Sequence, residues 1–211
     1  LGMSLVFGMV SGVQAQALTP IKISYQPSLY WALPFHIATE KGWWKEVGLA
    51  PEFSTFPAGV PQIASAAAKS WDVGGTGSVP AVLGHVRFGI KTIGLTNDES
   101  AANGLVGSAK ASADFARDPA AALRGKTITL TQNSTADFAV QACLRKYGLG
   151  KADVVMRNMG QAEIISAISS NNSDWAGMWA PLACMAWRIT RKKMPNGRAE
   201  TRAMRQSMAT R

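Results

Sequence analysis

Trp71-Asp72-Val73-Gly74-Gly75-Thr76-Gly77-Ser78-Val79-Pro80-Ala81 turns from an extended segment into a helix within a few residues, and that turn decides the fold class. Trp71 to Gly74 reads as a short strand, and Gly75-Thr76-Gly77-Ser78 opens a helix that runs through Val86. The same unit recurs on both sides. Upstream, Ile21 to Tyr25 alternates with β-branched residues and is closed by Gln26-Pro27-Ser28, and a helix follows to the Lys41-Gly42 stop. After the Gly48 turn come a strand over Glu52–Phe56 and an Ala-rich helix over Pro61–Lys69, with Trp43 and Trp44 packed beneath the end of the first helix.

Downstream, Ile90 to Leu95 reads as a buried strand and Gly104 to Gly107 as another. A polar, Ala-rich stretch then leads to Leu123-Arg124-Gly125-Lys126, where the register restarts: strand 127–131, helix 134–147, strand 153–156, helix 161–169 and strand 175–179. Alternation of this kind calls for an α/β fold, a largely parallel sheet with helices on both faces and ligands at the carboxyl ends of the strands. A lobe boundary is expected near Gly107 to Ala109, giving a first lobe over 18–107 and a second over 108–185, with no strict internal repeat.

The 211 residues are 47% hydrophobic and 17% charged, with 20 Gly and 10 Pro, enough apolar content for one good core or two small ones. The formal charge of +9 is lopsided. Arg188 to Arg211 holds eight basic residues against Glu200 alone, leaving +2 for the other 187 residues. A body so near neutrality has no basic face to lay along phosphates, so nucleic acid is not an expected partner.

Leu1 to Val13 is largely apolar and leads to Ala15-Gln16-Ala17 without a single charge. This matches the apolar region and small-residue cleavage site of a secretory signal cut after Ala17, although the basic leading region is missing. No Cys lies near that point, so a lipid anchor is not expected. Cys143 and Cys184 are the only cysteines; a disulfide is open to them, but Cys143 falls in the apolar stripe of a helix and reads as a core residue.

No catalytic signature stands out. His36 and His85 have no Cys, Asp or Glu at metal-ligand spacing, the Gly74–Ser78 run lacks both GxGxxG spacing and a following Lys, and neither Ser78 nor Ser134 has a base nearby in sequence. What the chain has is two loops of one physical type, one per lobe. Thr76-Gly77-Ser78 and Asn133-Ser134-Thr135 each put hydroxyls and free backbone N–H groups at a helix start, where the dipole favours an anion; ordinary capping is the alternative for either alone. Tyr25, Tyr30 and Trp31 near the first strand end, with Trp175 and Trp179 near the last, could wall a pocket between them or serve as core. Asp98 and Glu99 read as surface acids, with an ammonium acceptor as the other reading.

Ile23-Ser24-Tyr25-Gln26-Pro27 and Ala38-Thr39-Glu40-Lys41-Gly42-Trp43-Trp44-Lys45-Glu46-Val47-Gly48-Leu49, followed in order by the 71–81 stretch, Leu123-Arg124-Gly125-Lys126-Thr127-Ile128, Asn133-Ser134-Thr135-Ala136 and Trp179-Ala180-Pro181, resemble the sulfonate, nitrate and taurine substrate-binding proteins of ABC transporters. The resemblance covers about residues 20 to 182. It implies a type II periplasmic-binding-protein fold of two Rossmann-like lobes, a periplasmic monomer that closes on a small anionic solute, and a transporter permease with its ATPase as partners. It implies no cofactor and no metal. Carried over by position, the ligand residues are Gln26, Ser28, Tyr30, Trp31, Thr76, Gly77, Ser78, Asn133, Ser134, Thr135 and Trp179.

After Pro181 the likeness stops. Residues 186–211 hold one Ile and no Val, Leu or Phe, and the expectation is a truncated or frameshifted tail, an unfinished second lobe, an exposed apolar sheet edge and weak stability. Three alternatives share the architecture. A pyrimidine-precursor binding protein differs only in its solute. A thiamin-pyrimidine-synthase-like enzyme should carry a Cys-rich motif that is absent here, and the effector domain of a transcription regulator should follow a DNA-binding segment.

Overall fold

Two sheets organise the chain in the computed structural model, which describes residues 17–99, 102–180 and Ala183. The signal-like stretch up to Gln16, Cys184 and the basic tail lie outside the described residues. The first sheet holds β1 (Thr19–Tyr25), β2 (Leu49–Thr55) and β3 (Val73–Gly75) in the order β2-β1-β3, all parallel. Its helices are α1 (Leu29–Glu40), α2 (Trp43–Glu46), α3 (Gly59–Ser65, continued by a 3-10 turn over Ala66–Ala68) and α4 (Ser78–Phe88). Parallel neighbours need crossovers, and α1 and α3 supply them.

The second sheet has the order β4-β7-β5-β6: β4 (Asn103–Gly107), β5 (Thr127–Leu130), β6 (Val155–Asn158) and β7 (Trp175–Trp179). β5 pairs parallel with β6 and β7, whereas β4 runs antiparallel to β7, with Asn103 opposite Trp179. Helices α5 (Ala109–Arg117), α6 (Pro119–Leu123), α7 (Thr135–Lys146) and α8 (Gln161–Ser169) cover it. Asn103–Gly107, on the first-lobe side of the boundary drawn from sequence, is therefore a strand of the second sheet.

Most expected elements are present, and three differences are informative. Ile90 to Leu95 forms no strand, and Ile93 and Leu95 are 84% and 93% exposed. An apolar run becomes a strand only where a neighbour offers hydrogen bonds, and among the described residues none pairs with it. The polar, Ala-rich stretch is two helices, α5 and α6, capped by the side chains of Ser108 and Asp118, which accept from Ala111 N at 3.2 Å and Ala121 N at 3.0 Å. Trp44 packs edge-on against Phe53 and donates to the Thr39 hydroxyl, as its place beneath α1 requires, but Trp43 is exposed.

The two sheets differ in what they bury. Around the second, Leu123, Ile128, Leu130, Val140, Leu144, Leu149, Val154 and Trp175 form one apolar cluster, with Phe115 and Cys143 packed against it. Val106, Ile164, Ile168, Ala176 and Met178 form another on the opposite face. Cys143 thus takes the core place that its helical stripe predicts, and burial pushes its thiol up. At Gly177 the sheet meets α7 so closely that a Cβ would lie 2.7 Å from the Val140 side chain, so glycine is what lets α7 seat. Around the first sheet the buried apolar side chains among the described residues are few, Ile23, Trp31 and Ile63, and Ser24, Gln26 and Gln62 are buried beside them.

Candidate functional site

Three helices begin near one another at the carboxyl ends of strands from both sheets. The first start is α1. Its N-cap Ser28 makes no capping bond, and the Ser28 Oγ is buried without a hydrogen-bond partner among the described residues. Such an orphan costs about 1–3 kcal/mol unless something fills it. Pro27 and the preceding strand fix the approach, and Ser28 O accepts from Trp31 N and Ala32 N in the first turn.

The second start is α4, with Gly77 as N-cap in extended backbone and Ser78 as the exposed first residue. Gln26 ties it to the α1 loop: its Nε2 donates to Thr76 Oγ1 at 3.4 Å and more closely to Gln62 Oε1. Gln62, fully buried on α3, then donates to Ser24 Oγ at 2.8 Å and Ser24 O at 3.1 Å. Gln62 and Ser24 are absent from the sequence-derived site. The only signal was a glutamine beside Ile63, on the helix face that must meet the sheet.

The third start is α7. Ser134 is its N-cap, and the buried hydroxyl is fully used, accepting from Asp137 N at 3.2 Å and donating to Thr131 O at 2.6 Å. Thr135 is the hydroxyl that faces the first sheet's loops: a Cβ placed on Gly77 would lie 2.7 Å from Thr135 Oγ1. The same point is 3.8 Å from Glu99 Oε2. The backbone at Gly77 therefore approaches the opposite helix start with no side chain between. Asn133, held at φ +58° with its N–H on Asp137 Oδ2 at 2.8 Å, lines a groove of about 310 Å³ with Gln132, Asp137, Lys151 and Met156, all of the second unit.

Of the aromatics, Trp31 and Trp179 meet edge to face at 6.2 Å across the two units, and Tyr30 meets Trp31 edge to face at 6.4 Å. Trp175 is core, its ring against Phe115 and its Nε1 donating to Ala122 O. The structure thus joins Gln26, Thr76 and Gly77 to Thr135, and Trp31 to Trp179. Ser28 sits at the α1 start, Ser78 at the α4 start, and Ser134 faces inward. His36 and His85 are both exposed, and His85 Nδ1 lies 3.1 Å from Ile90 O. Among the described residues no group of acids, cysteines and histidines is placed to hold a metal ion, and no helix is long and apolar enough to cross a membrane.

Two parallel-rich α/β units with helix starts turned toward one another define a type II periplasmic-binding-protein fold. Residues 32–183 match the family described as NMT1/THI5 like, and the chain belongs to that family. A Brucella abortus relative, whose name says no more than binding protein, is 29% identical over 187 residues, 86% of this chain and 54% of its own. The chain thus spans about half the length of the curated relatives it matches. Among solved structures, the periplasmic aliphatic sulphonate binding protein SsuA of Escherichia coli aligns at TM-score 0.64 and 20% identity, covering 81% of this chain and 57% of that one. The alkanesulfonate-binding SsuA of Xanthomonas axonopodis pv. citri aligns at 0.65 and 22%, covering 77% and 55%. The nitrate-binding NrtA of Synechocystis aligns at 0.60 and 17%, covering 80% and 48%. At these identities the likeness concerns the fold.

Proposed function

We propose that this chain is the solute-binding component of an ABC importer, a periplasmic receptor that holds a small organic anion between its two α/β units. The preferred solute is of the sulfonate type, and nitrate is the other candidate. No bond is made or broken: the anion bridges the units, stabilises the closed form, and the transporter's permease, with its ATPase, recognises that form. The two lobes are the β1–α4 and β4–β7 units, acting as a monomer.

The observation that carries this reading is the orphaned, buried hydroxyl of Ser28 at the start of α1, beside two further helix starts that meet at Gly77 and Thr135. Helix starts offer unpaired N–H donors and a partial positive charge, and a hydroxyl with nothing to donate to completes an anion cradle. Trp31 and Trp179 would exclude water from it. The names of the neighbouring structures, which are binding proteins, support the same reading.

The test is calorimetric titration of the folded chain with methanesulfonate, ethanesulfonate and nitrate. Binding that weakens about tenfold or more in Ser28→Ala, equivalent to about 1.4 kcal/mol, is expected from the loss of a charge-assisted donor. A chain with α/β circular dichroism that takes up none of these anions would falsify the proposal.

A further inference from the structure

We propose that Asp137 is a positioning residue of this site: its carboxylate occupies the positive start of α7, so that the anionic group is held on the first unit, at the start of α1. The second unit then closes over it through Thr135 and Trp179. The inference rests on the anion-receptor reading above and names the unit that recognises the charge.

The helix starts around the site are alike in outline and differ in charge. The first turns of α1 and α4 hold no acid, and neither has a side-chain cap: Ser28 makes no capping bond, and Gly77 has no side chain to make one. Their first-turn N–H groups are therefore left to water or a ligand. The start of α7 is answered from within. Asp137, in its first turn, is 5% exposed, and its oxygens accept from Asn133 N at 2.8 Å and Gln141 Nε2 at 2.6 Å. Both donors are neutral amides, so the positive helix end is what balances the carboxylate. The start of α8 repeats the pattern, with Glu163 accepting from Gly160 N at 2.9 Å.

A helix end that already holds a buried carboxylate repels a second anion brought to it, in a volume where little water screens the two. At α1 the balance is the reverse. The Ser28 hydroxyl is buried with no partner among the described residues, and no acid of the first turn opposes a ligand there. The start of α4 lies between these cases, because the point where a Gly77 Cβ would stand is 3.8 Å from Glu99 Oε2. What the second unit offers the solute is a hydroxyl and an indole: Thr135 Oγ1, 2.7 Å from that same point, and Trp179, in contact with Trp31.

The experiment titrates the full chain with methanesulfonate at pH 8. Proline at the first helical position removes one N–H and leaves the helix intact, and Ser28 and Ser134 both have the extended backbone that a following proline requires. Leu29→Pro should bind about tenfold or more weakly than Leu29→Ala, which keeps the α1 N–H. Thr135→Pro should bind no more weakly than Thr135→Val, which removes the hydroxyl and keeps the α7 N–H. Asp137→Asn should tighten binding about threefold, because the freed helix end now attracts the anion. In that background Thr135→Pro should fall below Thr135→Val. An Asp137 that served folding alone would weaken binding or leave it unchanged on substitution, and either result overturns the proposal. A Thr135→Pro loss beyond that of Thr135→Val with Asp137 in place overturns it too, whether or not Leu29→Pro folds. Failure of the wild type to take up methanesulfonate removes the receptor reading itself.

Discussion

The second sheet is buried between two apolar clusters, whereas the first is buried around three glutamine and serine side chains and three apolar ones. The contrast separates two jobs. Ile128, Leu130, Val140 and Leu144 hold a shape by removing apolar area from water. Ser24, Gln26 and Gln62 hold a shape by hydrogen bonds whose last member, Thr76, stands at a helix start facing the site. The second unit, whose buried apolar side chains far outnumber its buried polar ones (Thr129, Thr131, Ser134, Asp137, Gln161 and Ser173), is the firmer body, whereas among the described residues of the first the two kinds are equal in number.

The largest expected effect comes from truncating the firmer side. Leu130→Ala, fully buried under α7, should lower the unfolding free energy by about 2–5 kcal/mol in urea denaturation. Equal loss from truncating the partly exposed Phe53 would erase the contrast. Gln62→Ala comes next, at about 1–3 kcal/mol, because Gln26 and Ser24 each lose a buried partner. It should also weaken anion binding, since Gln26 no longer holds Thr76.

Backbone hydrogen exchange sharpens the same comparison with a smaller signal: amides of β1 and β3 should exchange before those of β5 and β7. The smallest effect is electrostatic. Burial raises the Glu99 pKa above its ordinary value of 4.5, so the protonated form favours the folded state. That contribution is complete below pH 4.5 and is lost as pH rises through the raised value. Without solute, Glu99→Gln should therefore melt higher than wild type at neutral pH and equally at low pH.

What the sequence disclosed follows the same division. β7 and α8 were legible to the residue because the apolar run Trp175–Trp179 and the capped helix Gln161–Ser169 carry their own boundaries. α5 and α6 were passed over although Ser108 and the Asp118-Pro119 pair announce both, because helices of 9 and 5 residues built mostly of small alanines offer few large apolar positions to read. Ile90 to Leu95 misled in the opposite direction: its composition fits a strand, but strand formation depends on a neighbour that composition does not contain. The hydroxyl loops of the site were readable as local helix starts. Gln62 was not, since its position depends on a contact with Gln26 that is far off in sequence, and Glu99 was open to two readings, surface acid or ammonium acceptor, because its closeness to Gly77 is equally long-range.

The edge-to-face contact of Trp31 with Trp179 has a further use, because the two indoles belong to different units. Two such rings in contact couple their electronic transitions and produce a paired positive and negative band in the ultraviolet circular dichroism spectrum. Separation of the units would extinguish that couplet while the spectra of the other indoles stay as they are. In the receptor reading proposed above, that contact would report opening of the units without any label.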